Sequence, residues 1–158
     1  MAPPPTSFRA TIAKSFVFAG RATRTEVLSF GLAVVMISMP ILILCGLLLP
    51  YDQRRLIDLG LTVLASVPAF ALLVRRLHDQ GRTGVWAWPA ALVFLVWAAR
   101  TAAGYAIGAS AASQIDRLIW PLDWLLTLAN LLTIVLLLMP GTKDDNAFGP
   151  DPRQPQIG

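Results

Sequence analysis

From Val27 to Pro50 the chain runs for 24 residues without a charged side chain. As a helix this stretch would cover about 36 Å at 1.5 Å per residue, more than a hydrocarbon core of about 30 Å. It is also too long for the apolar core of a cleaved signal peptide, so it reads as a retained first span. Three more apolar stretches follow, at residues 56–74, 85–104 and 118–139. Hydrophobic residues make up 56% of the 158 and charged residues 14%. So few charges cannot coat that much apolar surface in water, whereas a bilayer removes the need. The fold class expected is all-α: a polytopic membrane protein, a bundle of four transmembrane helices across residues 27–139. Residues 1–26 form a leading segment and residues 140–158 a tail.

Local punctuation refines this pattern. Pro40 and Pro68 fall inside the first two spans, where lipid tolerates them if neighbouring groups satisfy the freed carbonyl. Pro121 fits the first turn of the fourth span, and Pro140-Gly141 ends it. Trp86, Trp88 and Trp97 suit the headgroup levels of the third span, as Trp120 and Trp124 suit one end of the fourth. The uncharged part of the third span is short, and it reaches full length only if Arg100 snorkels to the interface. Residues 100–117, rich in Ala, Gly and Ser, read as a loop with at most loose helix at its start. The Met1-Ala2-Pro3-Pro4-Pro5 tip is the one biased segment.

Orientation follows from the 13 Lys and Arg residues. With the N-terminus inside, the cytoplasmic segments hold nine: Arg9, Lys14, Arg21, Arg24, Arg75, Arg76, Arg82, Lys143 and Arg153. The outer loops hold four, Arg54, Arg55, Arg100 and Arg117. The excess of positive charge places both ends in the cytoplasm. The formal charge of +4 is scattered between apolar runs and builds no basic face or nucleic-acid module, so nucleic acid is not an expected partner. Cys45, the sole cysteine, precludes an internal disulfide and reads as a small buried hydrophobe.

Three polar clusters converge on the cytoplasmic side in this topology. They are Gly20-Arg21-Ala22-Thr23-Arg24-Thr25-Glu26, Arg75-Arg76-Leu77-His78-Asp79-Gln80-Gly81-Arg82-Thr83-Gly84, and Gly141-Thr142-Lys143-Asp144-Asp145-Asn146-Ala147-Phe148-Gly149-Pro150-Asp151-Pro152. In this order and spacing they resemble the bacterial inner-membrane family of unknown function numbered 805, which includes the YhaH-type small membrane proteins. The family pattern is a Gly-Arg-x-x-Arg-x-Glu entry, an Arg-Arg-Leu-His-Asp turn and a Gly-Thr-Lys-x-x-Asn-x-Phe-Gly-Pro-Asp-Pro ending, so the resemblance covers residues 14–152. It departs at Val27-Leu28-Ser29, where the family carries aromatics. The resemblance implies a multi-pass protein of the bacterial inner membrane and implies no reaction.

The residues expected to matter are Arg21, Arg24, Glu26, Arg75, Arg76, His78, Asp79, Arg82, Asp144 and Asn146. Arg75 and Arg76, at the end of a span, suit lipid phosphates, while Asp79 and Glu26 suit arginines. The same groups would also serve as topology signals neutralised by nearby acids. Gly81 suits a helix C-cap. His78, the one histidine, would work as an acid or base only with Glu26 or Asp144 beside it. No Ser or Cys has the setting of an activated nucleophile, and Asp144-Asp145-Asn146 lacks the later glutamate of a calcium loop. Asp58 and Asp123 fall at outer ends, near Arg54, Arg55 or Arg117. Asn130, with Thr127 and Thr133, lies at mid-depth and suits interhelical hydrogen bonds. The expectation is a non-catalytic membrane component without cofactor or metal, with membrane lipids and a protein partner or a second copy as candidates for binding. The alternative is a channel or carrier for a small solute or ion, working as an oligomer.

Overall fold

The computed structural model describes residues 8–154, so the Pro-rich tip lies outside the described residues. The described chain is helical: α1 Phe8–Ala13, α2 Arg24–Leu48, α3 Tyr51–Asp79, α4 Trp88–Ala106, α5 Ala109–Leu118 and α6 Trp120–Leu138, with a 3-10 turn at Gly84–Ala87 before α4. No described residue belongs to a β-strand, and a single isolated bridge joins Asn146 and Gly149. Four of these helical segments are long and apolar enough to cross a membrane: Arg24–Leu48, Gln53–Asp79, Gly84–Ala106 and Trp120–Leu138.

The exposure pattern is that of a protein whose solvent is lipid. Leu47 is 78% exposed and Leu64 73%, whereas Asp79 is 0% and Arg75 and Arg76 are each 1% exposed. In water such an arrangement would forfeit the apolar burial that drives folding. In a bilayer the outward Leu, Ile and Met side chains meet hydrocarbon at no such loss.

The chain divides into two compact units, the first made of residues 1–84 with 140–158, the second of residues 85–139. In the first, α1, α2 and α3 pack on one another. Ala22, Phe30 and Leu72 are buried together, covered by Phe8, Val27 and Val34, and the Phe8 ring stacks on Phe30 with centroids 5.8 Å apart. Helix α2 starts at Arg24, ahead of its apolar run, because Thr23 caps it by accepting the Glu26 amide at 3.2 Å. Helix α3 ends in a Schellman turn: the Arg82 amide donates to the Leu77 carbonyl and the Gly81 amide to His78. Gly81, at φ +71°, supplies the left-handed residue that this turn needs.

In the second unit α4 packs against α5 and α6. Pro89 and Pro121 sit in the first turns of α4 and α6, where a missing N–H costs nothing. Helix α5 corrects the expectation of a loop over residues 100–117. Gly108, at φ +83°, breaks the chain after α4, but the Ala-rich run beyond it has high helix propensity and turns helical despite its serines. The hydroxyls of Thr127 and Thr133 also differ from expectation. They donate to the carbonyls of Asp123 and Ala129 in their own helix, at 2.7 and 2.9 Å, and make no interhelical bond.

Candidate functional site: an arginine–aspartate knot

The three polar clusters do meet, at the end of the first unit where α2 begins and α3 finishes. The centre is the Asp79 carboxylate in the last residue of α3. Arg21 donates through Nε to Oδ1 at 3.0 Å. Arg153 reaches both oxygens through Nη2, at 2.8 and 2.9 Å. Arg76, three residues back on the same helix, pairs with Oδ2. One sealed carboxylate thus holds three guanidinium groups. Buried charge is tolerable only when it is paired and its remaining hydrogen-bond capacity is used. Here, Arg21 spends its other N–H groups on tail carbonyls, donating to Thr142 at 2.7 Å, to Asp144 at 2.7 Å and to Gly149 at 3.3 Å.

The backbone closes the same ring. The Thr142 amide donates to the Asp79 carbonyl at 2.7 Å, and the Ala22 amide to the Arg75 carbonyl at 3.0 Å. Asn146 donates to the His78 carbonyl and to the Thr142 hydroxyl, both at 2.9 Å, and its own Oδ1 accepts the Phe148 amide at 2.9 Å. Asp144, the one non-glycine residue described with positive φ, at +66°, is exposed and contributes its carbonyl rather than its carboxylate to Arg21. A Cβ on Gly141 would collide with the Asp79 carboxylate and the Arg153 guanidinium, so only glycine lets the tail pass so close. Asp151, itself buried, receives Arg153 Nε at 3.2 Å and lies 3.9 Å from Arg21.

A second pair lies beside the first. Arg75 Nη1 donates to Glu26 Oε1 at 2.9 Å, and the buried Thr11 of α1 donates to the same oxygen at 3.3 Å. Glu26 is thereby drawn off the reciprocal capping bond that its position three residues after Thr23 would allow. Arg75 Nε and Nη2 are buried without a hydrogen-bond partner among the described residues.

His78 does not find the acid expected beside it. Its Nδ1 lies 3.2 Å from the Gly20 carbonyl oxygen, and its ring stacks on Phe148 at 4.1 Å and 5° between planes. Glu26 is taken by Arg75, and Asp144 faces Gln154 at 3.4 Å. Arg24 is exposed at the start of α2, and Arg82 is half-buried in the turn after α3. Among the described residues, no three His, Cys, Asp or Glu side chains gather closely enough to hold a metal ion. Arg153, Thr11 and Phe148 join the site without having been singled out. Arg153 lies one residue past the Asp151-Pro152 ending, and an arginine in a tail looks like any other topology signal.

Apart from Arg153 and Thr11, the residues of this knot belong to the three motifs, and a family profile described as "Protein of unknown function (DUF805)" matches residues 15–150. The chain belongs to the DUF805 family. Two proteins named "Inner membrane protein YhaI", from Escherichia coli strain K12 and from Escherichia coli O157:H7, are each 36% identical to it over 92 residues. The match covers 55% of this chain and 73% of each relative. No solved structure matches. This DUF805 chain is a multi-pass inner-membrane protein. Its second unit carries a smaller ionic group: Arg100 pairs with Asp123 at 2.5 Å and with Asp116 of α5 at 3.3 Å. Asp123 therefore takes its partner from α4, where Arg54, Arg55 or Arg117 was expected.

Proposed function

We propose that this DUF805 protein is a non-catalytic inner-membrane component with both ends in the cytoplasm. In this reading the knot fixes its own polar segments and presents a net positive face to anionic headgroups. The observation that carries the reading is the Asp79 carboxylate, sealed from solvent and shared by three arginines. Groups so fully engaged support a latch rather than acid–base chemistry. The stacked ring of His78, with a backbone carbonyl at Nδ1, supports the same conclusion. The knot holds four arginines (Arg21, Arg75, Arg76, Arg153) against three carboxylates (Glu26, Asp79, Asp151), an excess of one positive charge. Around it Lys14, Arg24 and Lys143 are exposed beside Asp144 and Asp145, a further excess of one positive charge, and each cation near an anionic leaflet is worth about 1 kcal/mol. The cytoplasmic assignment of this face rests on the nine-to-four division of Lys and Arg.

The test is lipid retention. Protein purified in mild detergent from mixed phosphatidylglycerol and phosphatidylcholine should keep the anionic lipid preferentially. The variant Lys14→Gln, Arg24→Gln, Lys143→Gln should lose that preference while melting within a few degrees of the parent. Equal retention of the two lipids by the parent protein would overturn the headgroup reading. In a Cys45→Ser background, Lys143→Cys should react with an impermeant maleimide only after the membrane is opened.

A further inference from the structure

Helix α6 carries a polar side chain where a membrane helix has least use for one. Trp120–Leu138 spans 19 residues, and Asn130 stands one position past its midpoint, about 15 Å from its start and about 12 Å from its end at 1.5 Å per residue. A primary amide there has two N–H donors and a carbonyl acceptor, and hydrocarbon offers none of them a partner. Hydroxyls at comparable depth solve the problem within their own helices. Ser66 donates to the Thr62 carbonyl at 2.6 Å and Thr133 to the Ala129 carbonyl at 2.9 Å. Asn130 has no such bond; it is exposed, and no described residue hydrogen-bonds its amide.

Its direction is equally informative. Ala129, Thr133 and Leu136 are the buried residues of α6, and they form the seam facing α4. Asn130 is rotated about 100° from Ala129 and so stands beside this seam, on a stripe with Thr127 and Ile134, both exposed. The central turns of α2 and α3 hold no amide and no charge, only hydroxyls such as Ser38 and Thr62, and Arg100 of α4 is taken by Asp116 and Asp123. A hydroxyl satisfies one edge of an amide and leaves the other bare. Another amide, approached about a two-fold axis, returns donor for acceptor on both sides.

We infer that the Thr127–Asn130–Ile134 stripe of α6 is a homodimer contact, with the Asn130 amides of two copies paired in the bilayer. The partner is thus a second copy of this chain, chosen because Asn130 is its own complement. Packing of Thr127 and Ile134 around the amide pair shields it from lipid.

The experiment is association of the full-length protein in phosphatidylcholine vesicles, read by energy transfer between separately labelled copies as the protein-to-lipid ratio rises. The parent protein should form dimers in a concentration-dependent way. Asn130→Leu should weaken association about tenfold, the scale of one interhelical polar contact, and Asn130→Gln should retain most of it. In a Cys45→Ser background, Ile134→Cys should form an intermolecular disulfide readily, and Leu128→Cys, on the far side of α6, should not. A monomeric parent at every ratio overturns the inference, as does Asn130→Leu dimerising like the parent. Asn130→Leu lowering the melting temperature without changing association would place the amide's partner within the same chain, and also overturns it.

Discussion

The two ionic groups of this protein are built from the same side chains and behave as opposites. In the first unit Arg21, Arg76 and Arg153 surround an Asp79 with no exposed surface. In the second, Arg100 bridges Asp116 and Asp123, whose side chains are 50% and 52% exposed. The distances are similar; the solvent is not. Both acids of the Arg100 group are half-exposed, so its pairs add little to stability. Asp79, Arg21 and Arg76 are sealed from water, so none of the three can lose its partner without leaving a buried charge unpaired. What separates a fastening from a decoration here is exposure, not the number of ion pairs.

The contrast is sharpest when the acids are removed. Asp79→Ala leaves the buried guanidinium groups of Arg21 and Arg76 facing each other, with the half-exposed Arg153 beside them, and should cost about 3–5 kcal/mol, read as a large drop in melting temperature in detergent or as loss of folded protein. Wild-type stability in this variant would break the comparison outright. Gly141→Ala leaves every charge in place and asks only for room. Its methyl group meets the Asp79 carboxylate, and the overpacking should cost about 1–3 kcal/mol. Asp123→Asn removes the shorter of the two pairs made by Arg100 and should cost no more than about 1 kcal/mol. A loss there comparable to that of Asp79→Ala would mean the second group is sealed as well.

The large features were readable because they rest on composition and length. Runs such as Val27–Pro50 admit hardly any structure except a spanning helix, and the crowding of Arg, His, Asp and Asn between them marked where polarity would gather. Partner choice was not readable. Nothing along the chain says that Arg153 should turn back 74 residues to Asp79, or that Asp123 should prefer Arg100 on α4 to the nearer Arg117, because these choices depend on helix rotation. Helix α5 was hidden for a different reason. Its serines and the glycine before it mimic a loop, and at ten residues of mostly small side chains its Ala109-Ala112-Ile115-Leu118 spacing is a faint signal beside the long apolar runs.

The way the tail is tied to α3 has a consequence in time. Asp79 is synthesised with Arg21 and Arg76 already made, but its third arginine and the Thr142 amide that meets its carbonyl arrive only after two further crossings have been threaded. Until residue 153 leaves the ribosome, the earliest pair of helices carries an unfinished end. A segment made after α6 thus closes the end of α2 and α3, so assembly of the first unit is withheld until that segment comes back to the start of α2.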